Sequence, residues 1–147
     1  MPYLCLQCGE VYNISLPYCP KVSCHCGDVV EIDDLMLPII SMLNEKGYIT
    51  RNCCSGHAYD DGSSAYIQFD PFITLHFRDE VIEKMAELPD GWEIEESKLD
   101  KALVLRYTFK LSDMDDFTYA KQEAICNANL SMLDFVQDLE YLDYVLE

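Results

Sequence analysis

The sequence predicts an α+β fold: a small metal-held unit at the N-terminus, then a mixed or antiparallel sheet of four or five strands with helices packed on one face. Three observations carry this. Five of the eight cysteines fall within the first thirty residues, beside turn glycines. Short alternating apolar segments, separated by Gly, Pro and Asp, occupy the middle of the chain. Apolar residues step by three or four before Gly47 and again through the last thirty positions. Half of the 147 residues are hydrophobic and 12% are aromatic, enough for a packed core. The domain boundary falls at 32/33, with a zinc ribbon over 1–32 and an acidic α+β domain over 33–147.

Residues 1–30 read as short strands and turns. Asp33 has the chemistry of an N-cap, and Leu35, Ile39, Ile40 and Leu43 follow at helical spacing to a stop at Gly47. Pro38 sits in the first turns, where its missing N–H does little harm. Residues 48–53 and 65–69 read as strands, and 73–77, after Pro71, as a further short strand. Val81, Ile82, Met85 and Leu88 give 79–88 an amphipathic helical face, stopped by Pro89-Asp90-Gly91. Residues 92–96 and 102–110 read as a hairpin. Phe117, Ala120, Ala124, Ala128, Met132, Phe135, Leu139, Leu142 and Leu146 continue at helical spacing. Unbroken, that helix would be ~45 Å long at ~1.5 Å per residue. Ser131 and Asp134 have N-cap and N3 spacing, so a break is expected near 127–131. The same helix is the candidate contact for a homodimer.

The net charge of −17 is unevenly spread. Residues 1–30 carry two acids and one base, whereas 111–147 carry nine acids and one base. Such a chain repels a phosphate backbone, so direct nucleic-acid binding is disfavoured. The acids serve solubility or engage a basic protein partner, for instance by mimicking nucleic acid. No apolar run approaches the ~20 residues of a membrane helix. The N-terminus lacks a basic stretch followed by an apolar one, so the expected location is the cytoplasm. Cysteines in that reducing compartment bind metal more often than they form disulfides.

Cys5-Leu-Gln-Cys8-Gly9 is a zinc knuckle by chemistry: two thiolates two residues apart face one ion, and the glycine allows the turn that aims backbone N–H groups at the sulfurs. The second knuckle is less regular. Cys24-His25-Cys26-Gly27 has a one-residue gap, with Cys19 five residues upstream of Cys24. The expected ligands are Cys5, Cys8, Cys24 and Cys26, with Cys19 in place of Cys24 as the rival set. Four thiolates leave no open position for a catalytic water, so the zinc is structural and stands in for a core that thirty residues cannot build.

The second feature is Arg51-Asn-Cys53-Cys54-Ser55-Gly56-His57, a strand ending in a turn of small residues. Cys54 and His57 suit a thiolate–imidazole pair. Cys53, Cys54, His57 and Asp60 suit a second metal. Backbone N–H groups around Ser55 and Gly56, with Arg51 and His57, suit an anionic, nucleotide-like ligand. The plain alternative is a buried turn in which Gly56 supplies an unusual backbone angle. Adjacent cysteines in a strand point to opposite faces, so at most one faces any pocket.

Pro38-Ile-Ile-Ser-Met-Leu-Asn44, Tyr48, Thr50 and Cys54-Ser55-Gly56 resemble the third wybutosine-synthesising protein family, which methylates a tricyclic guanine base in tRNA with S-adenosylmethionine. In that family a helix ending near Leu-Asn leads through a strand to Ser-Ser-Cys-Ser-Gly-Arg. Cys53 here stands for a serine and His57 for the arginine. The likeness covers roughly a sixth of the chain and implies a methyltransferase relative. The zinc ribbon and the acidity depart from it. The whole layout also resembles small uncharacterised zinc-ribbon proteins of Gram-positive bacteria and their phages.

Among other residues, His76 between Leu75 and Phe77 reads as a partly buried strand residue, and Trp92 as a core anchor. Arg78 and Arg106 either join Arg51 at a pocket or pair with surface carboxylates. Cys126 reads as helix packing, and Tyr141 and Tyr144 as cover for the core or a dimer contact. Three functions follow: a binding protein for an anionic ligand at the turn, an acidic protein–protein module, and a methyltransferase relative. The two cysteine features make a joint prediction: protein purified without chelator carries one zinc per chain by metal analysis, unchanged in His57→Ala. Two metals, one of them lost in that variant, would make the turn a metal site.

Overall fold

The computed structural model describes residues 3–5, 10–12, 14, 29–32, 34–56, 64–98, 101–109 and 119–142. They form an α+β fold with two antiparallel sheets and three helices. The first sheet joins β1 (Tyr3–Cys5), β2 (Val11–Tyr12) and β3 (Val29–Glu31) in the order β2-β1-β3. Helix α1 (Leu37–Glu45) leads to the second sheet, of order β4-β5-β7-β6. Its strands are β4 (Thr50–Cys54), β5 (Ser64–Phe69), β6 (Trp92–Glu96) and β7 (Leu103–Thr108). Helix α2 (Pro71–Lys84) links β5 to β6, and α3 (Tyr119–Asp138) follows β7.

Strand alternation gives the larger sheet two unlike faces. Ala65, Ile67 and Phe69 of β5, Leu103 and Leu105 of β7, and Trp92 of β6 face the core. There they join Ile39, Ile40 and Leu43 of α1, Ile73, Phe77 and Val81 of α2, and Ile125, Ala128, Met132 and Val136 of α3. Leu4 and Ile32 belong to the same cluster, so the small sheet and the main domain share one core. The alternate positions, among them Cys54, Tyr66 and Arg106, fall on the other face, where Arg106 lies over the Tyr66 ring at 5.3 Å.

Helix α1 ends as the sequence predicts. Gly47 adopts φ +97°, and the N–H groups of Gly47 and Tyr48 donate to the carbonyls of Asn44 and Leu43 at 3.1 and 2.8 Å, a Schellman motif. The start is later than expected: residues 34–36 form a turn, and position 36 is an N-cap without a side-chain bond. Asp33, the expected cap, lies outside the described residues. Asn44 then ties helix to strand. Its amide donates to Ile40 O (2.8 Å) and Thr50 Oγ1 (2.9 Å), and its Oδ1 accepts from Thr50 N–H (3.2 Å).

Two expectations fail for stated reasons. Residues 73–77 are helical, because Asp70 caps the helix by accepting from Phe72 N–H at 2.9 Å and Pro71 occupies its first turn. Pro71 thus opens a helix rather than interrupting a strand. Phe77, at φ −135° and ψ 19°, kinks α2 and separates this new turn from the amphipathic segment behind it. His76 is consequently an exposed helix residue, its ring 4.5 Å from that of Phe72, not a half-buried strand residue.

The C-terminal helix is unbroken through 127–131. Ser131 Oγ donates back to Ala128 O at 2.8 Å within the helix, so it is not an N-cap. The helix instead stops at Asp138, after 20 residues or ~30 Å, within the width of the domain. Its residues Ile125, Ala128, Met132 and Val136 pack in the chain's own core. Past the helix, Leu139 and Leu142 remain buried without being helical. Lys46 explains the stop. Its Nζ donates to the carbonyls of Val136, Gln137 and Leu139 at 2.7, 3.0 and 2.7 Å, satisfying groups that a helix C-terminus leaves open.

Trp92 is the core anchor expected. It is buried, and its indole N–H donates to Ala128 O at 3.1 Å, fixing β6 against the middle of α3. Arg78 and Arg106 pair with carboxylates instead of joining Arg51: Arg78 with Glu96 and Asp79, and Arg106 with Glu95. No helix among the described residues is long and apolar enough to cross a membrane.

Candidate functional site

Three places merit attention: the turn after β4, the small sheet, and a groove between α2 and the end of α3.

At the turn, Cys53 packs against the core opposite Ile67, and Cys54 lies on the other face opposite Tyr66. The two thiols are therefore divided between the two sides of the sheet. Ser55 is buried, and its carbonyl accepts from Asn129 Nδ2 of α3 at 3.1 Å. Gly56 adopts φ +105°, and a Cβ there would lie 2.7 Å from the Phe109 ring. Its N–H points at Cys54 Sγ, 3.4 Å away. Glycine is thus required twice over, by backbone angle and by space. Arg51 is exposed on β4, an edge strand. His57 and Asp60 lie outside the described residues, so the thiolate–imidazole and second-metal readings concern positions beyond them.

Asn129 is the residue that sequence reading missed. It is 1% exposed and wedged between α3 and the turn. Its Nδ2 donates to Ile125 O (2.7 Å) as well as to Ser55 O, which fixes the orientation of the amide. Its buried Oδ1 has no hydrogen-bond partner among the described residues. That oxygen is an acceptor, so it suits an N–H or O–H donor and not an anion. The trace of Asn129 in the sequence is a polar residue at helical spacing with Ile125, Met132 and Val136 of the buried face.

In the small sheet, Cys5 is buried at the end of β1 and its N–H donates to Glu10 O at 3.0 Å. Leu4 pairs with Val11 and Cys5 with Val29. A four-residue repeat becomes visible from this register: Cys8-Gly9-Glu10-Val11 and Cys26-Gly27-Asp28-Val29. Each valine opens a strand, and the two strands flank β1 on either side. Cys8, Cys19, Cys24 and Cys26 lie outside the described residues. Among the described residues no three metal-binding side chains gather.

The groove has a volume of about 570 Å³. Glu80, Glu83, Glu87, Asp138 and Glu140 line it with Lys84, around Phe135, Leu139 and Ala86. Lys84 Nζ meets Glu140 at 3.1 Å, and that carboxylate is 83% exposed. The far wall is held from behind: Tyr48 Oη donates to Glu140 O (2.7 Å), and Leu142 N–H to Lys46 O (2.8 Å). Sequence reading registered the acids but not their convergence, because the wall beyond α3 is not helical.

Comparison of the chain with protein-family models, with curated proteins and with solved structures found no match.

The turn yields a paired prediction. Gly56→Ala should cost about 2 kcal/mol or more in urea unfolding, from backbone strain plus contact with Phe109. Asn129→Asp should cost about 3 kcal/mol, because an ionised carboxylate would face two carbonyl oxygens. That burial raises the folded-state pKa of the new acid. The deficit relative to wild type should therefore be smallest at acidic pH and grow as pH rises through the carboxylate range. A deficit independent of pH would refute the geometry given for Asn129.

Proposed function

We propose that the protein is an acidic interaction module that binds a basic partner protein, with a zinc ribbon as its structural N-terminal appendage. The groove between α2 and the end of α3 carries this reading. There five carboxylates and one lysine share a groove with Phe135, Leu139 and Ala86, in a chain of net charge −17. The same charge disfavours nucleic acid as the partner. The Cys5 N–H bond to Glu10 O, and the Cys-Gly-acid-Val repeat whose two valines lie on either side of β1, support the ribbon, with Cys5, Cys8, Cys24 and Cys26 as the zinc ligands. Thiolates in that number would supply folding energy and leave the metal no catalytic position.

A second reading keeps a small ligand at the turn, on the strength of Asn129 Oδ1, buried and without a hydrogen-bond partner among the described residues. That oxygen alters the chemistry first expected there. The described half of the turn would receive a hydrogen-bond donor, such as the amino group of a nucleotide-like base, before it would receive a phosphate.

Binding to a panel of basic and acidic test proteins separates the two. The module predicts binding of the basic proteins only, weakening steeply with salt, and insensitive to His57→Ala. Loss of binding in His57→Ala, or no binding to any basic protein at low salt, would contradict it. Thermal stabilisation by nucleotides, abolished in Asn129→Ala, would favour the ligand instead.

A further inference from the structure

We infer that the groove between α2 and the end of α3 is a docking site for one amphipathic helical segment of the partner, apolar on one stripe and lysine- or arginine-bearing on both flanks. The inference rests on the reading above and names the chemistry of what it binds.

The walls set the charge pattern. Glu80, Glu83 and Glu87 recur at three- and four-residue spacing along one side, and Asp138 and Glu140 stand on the other. Phe135, Leu139 and Ala86 line the same groove, apolar side chains set among the carboxylates. A helix lying in it would set apolar residues at i, i+3 and i+4 against those side chains while its flanking cations met the acids. A second copy of this chain does not suit the site, because its surface would bring the same excess of negative charge.

The groove is also prepared for an occupant. Lys46 and Tyr48 hold the segment from Val136 to Glu140 through its backbone carbonyls, so this wall needs little ordering on binding. Lys84 spans the groove to the exposed Glu140 carboxylate. The pair is open to solvent on the carboxylate side, where an incoming guanidinium or ammonium can replace Lys84 on Glu140.

The test uses the full chain and a labelled synthetic peptide of about 18 residues, five helical turns, with leucines at helical spacing and lysines elsewhere. A scrambled peptide of the same composition and the polyamine spermine are the comparators. The amphipathic peptide should bind more tightly than the scramble at physiological salt. Its affinity should fall about tenfold in Glu83→Gln/Glu87→Gln and again in Ala86→Arg, which fills the exposed floor. It should hold in Asp90→Asn/Glu123→Gln, which removes equal charge elsewhere. Equal affinity for the two peptides, or equal losses in the groove and control variants, would overturn the groove as the site and leave the acidic-module reading standing. Spermine displacing the peptide while the scramble binds equally well would replace the helix with a small polycation. No binding of either peptide at low salt would overturn the inference and the reading together.

Discussion

The end of α1 holds the end of α3, and much of the rest depends on that contact. A Schellman turn at Gly47 reverses the chain and presents Lys46 and Tyr48 to the last turn of α3. A helix C-terminus carries open carbonyls and a partial negative charge, and a lysine ammonium answers both needs at once. Lys46 takes three of those carbonyls, Tyr48 takes the next, and the chain returns the favour when Leu142 N–H bonds to Lys46 O. The helix therefore stops at Asp138, and Leu139 and Leu142 turn inward to close the core. In the same stroke Asp138 and Glu140 become one wall of the groove.

The four-stranded sheet depends on α3 in turn. Trp92 of β6 donates to the middle of that helix, and Asn129, on the helix, donates to the turn after β4. Both bonds are made in the dry interior, where an unanswered polar group is costly. The Cys-Cys-Ser-Gly turn is thus, in its described half, a joint between sheet and helix. Its glycine is fixed by Phe109, its serine carbonyl by Asn129, and its two thiols look to opposite sides.

What the sequence revealed follows the range of the interactions involved. Local signals read well: the Gly47 stop, the β6–β7 hairpin, the buried face of β5 and Trp92 as an anchor all rest on spacing and turn chemistry. Asp70-Pro71 misled because proline opens helices as readily as it ends strands, and only the Asp70 cap decides between them. The apparent break at Ser131 failed because a serine hydroxyl can bond back to its own helix when tertiary packing holds the helix straight. Lys46 reaching across some ninety residues, and Asn129 beneath the turn, are long-range contacts that no window of sequence contains. The Cys-Gly-acid-Val repeat was in plain view but gained meaning only when both valines were found beside β1. The acids were legible as a total and not as a groove, since their meeting depends on where α3 ends.

Amide hydrogen exchange across α3 in Lys46→Met tests this dependence most directly, because methionine keeps the packing of the stem and removes the ammonium. Loss of protection is predicted over residues 136–142, with the four-stranded sheet and the first half of α3 protected as in wild type. Unchanged exchange at 136–142 would show that the end of α3, and with it the groove, is set by something other than Lys46.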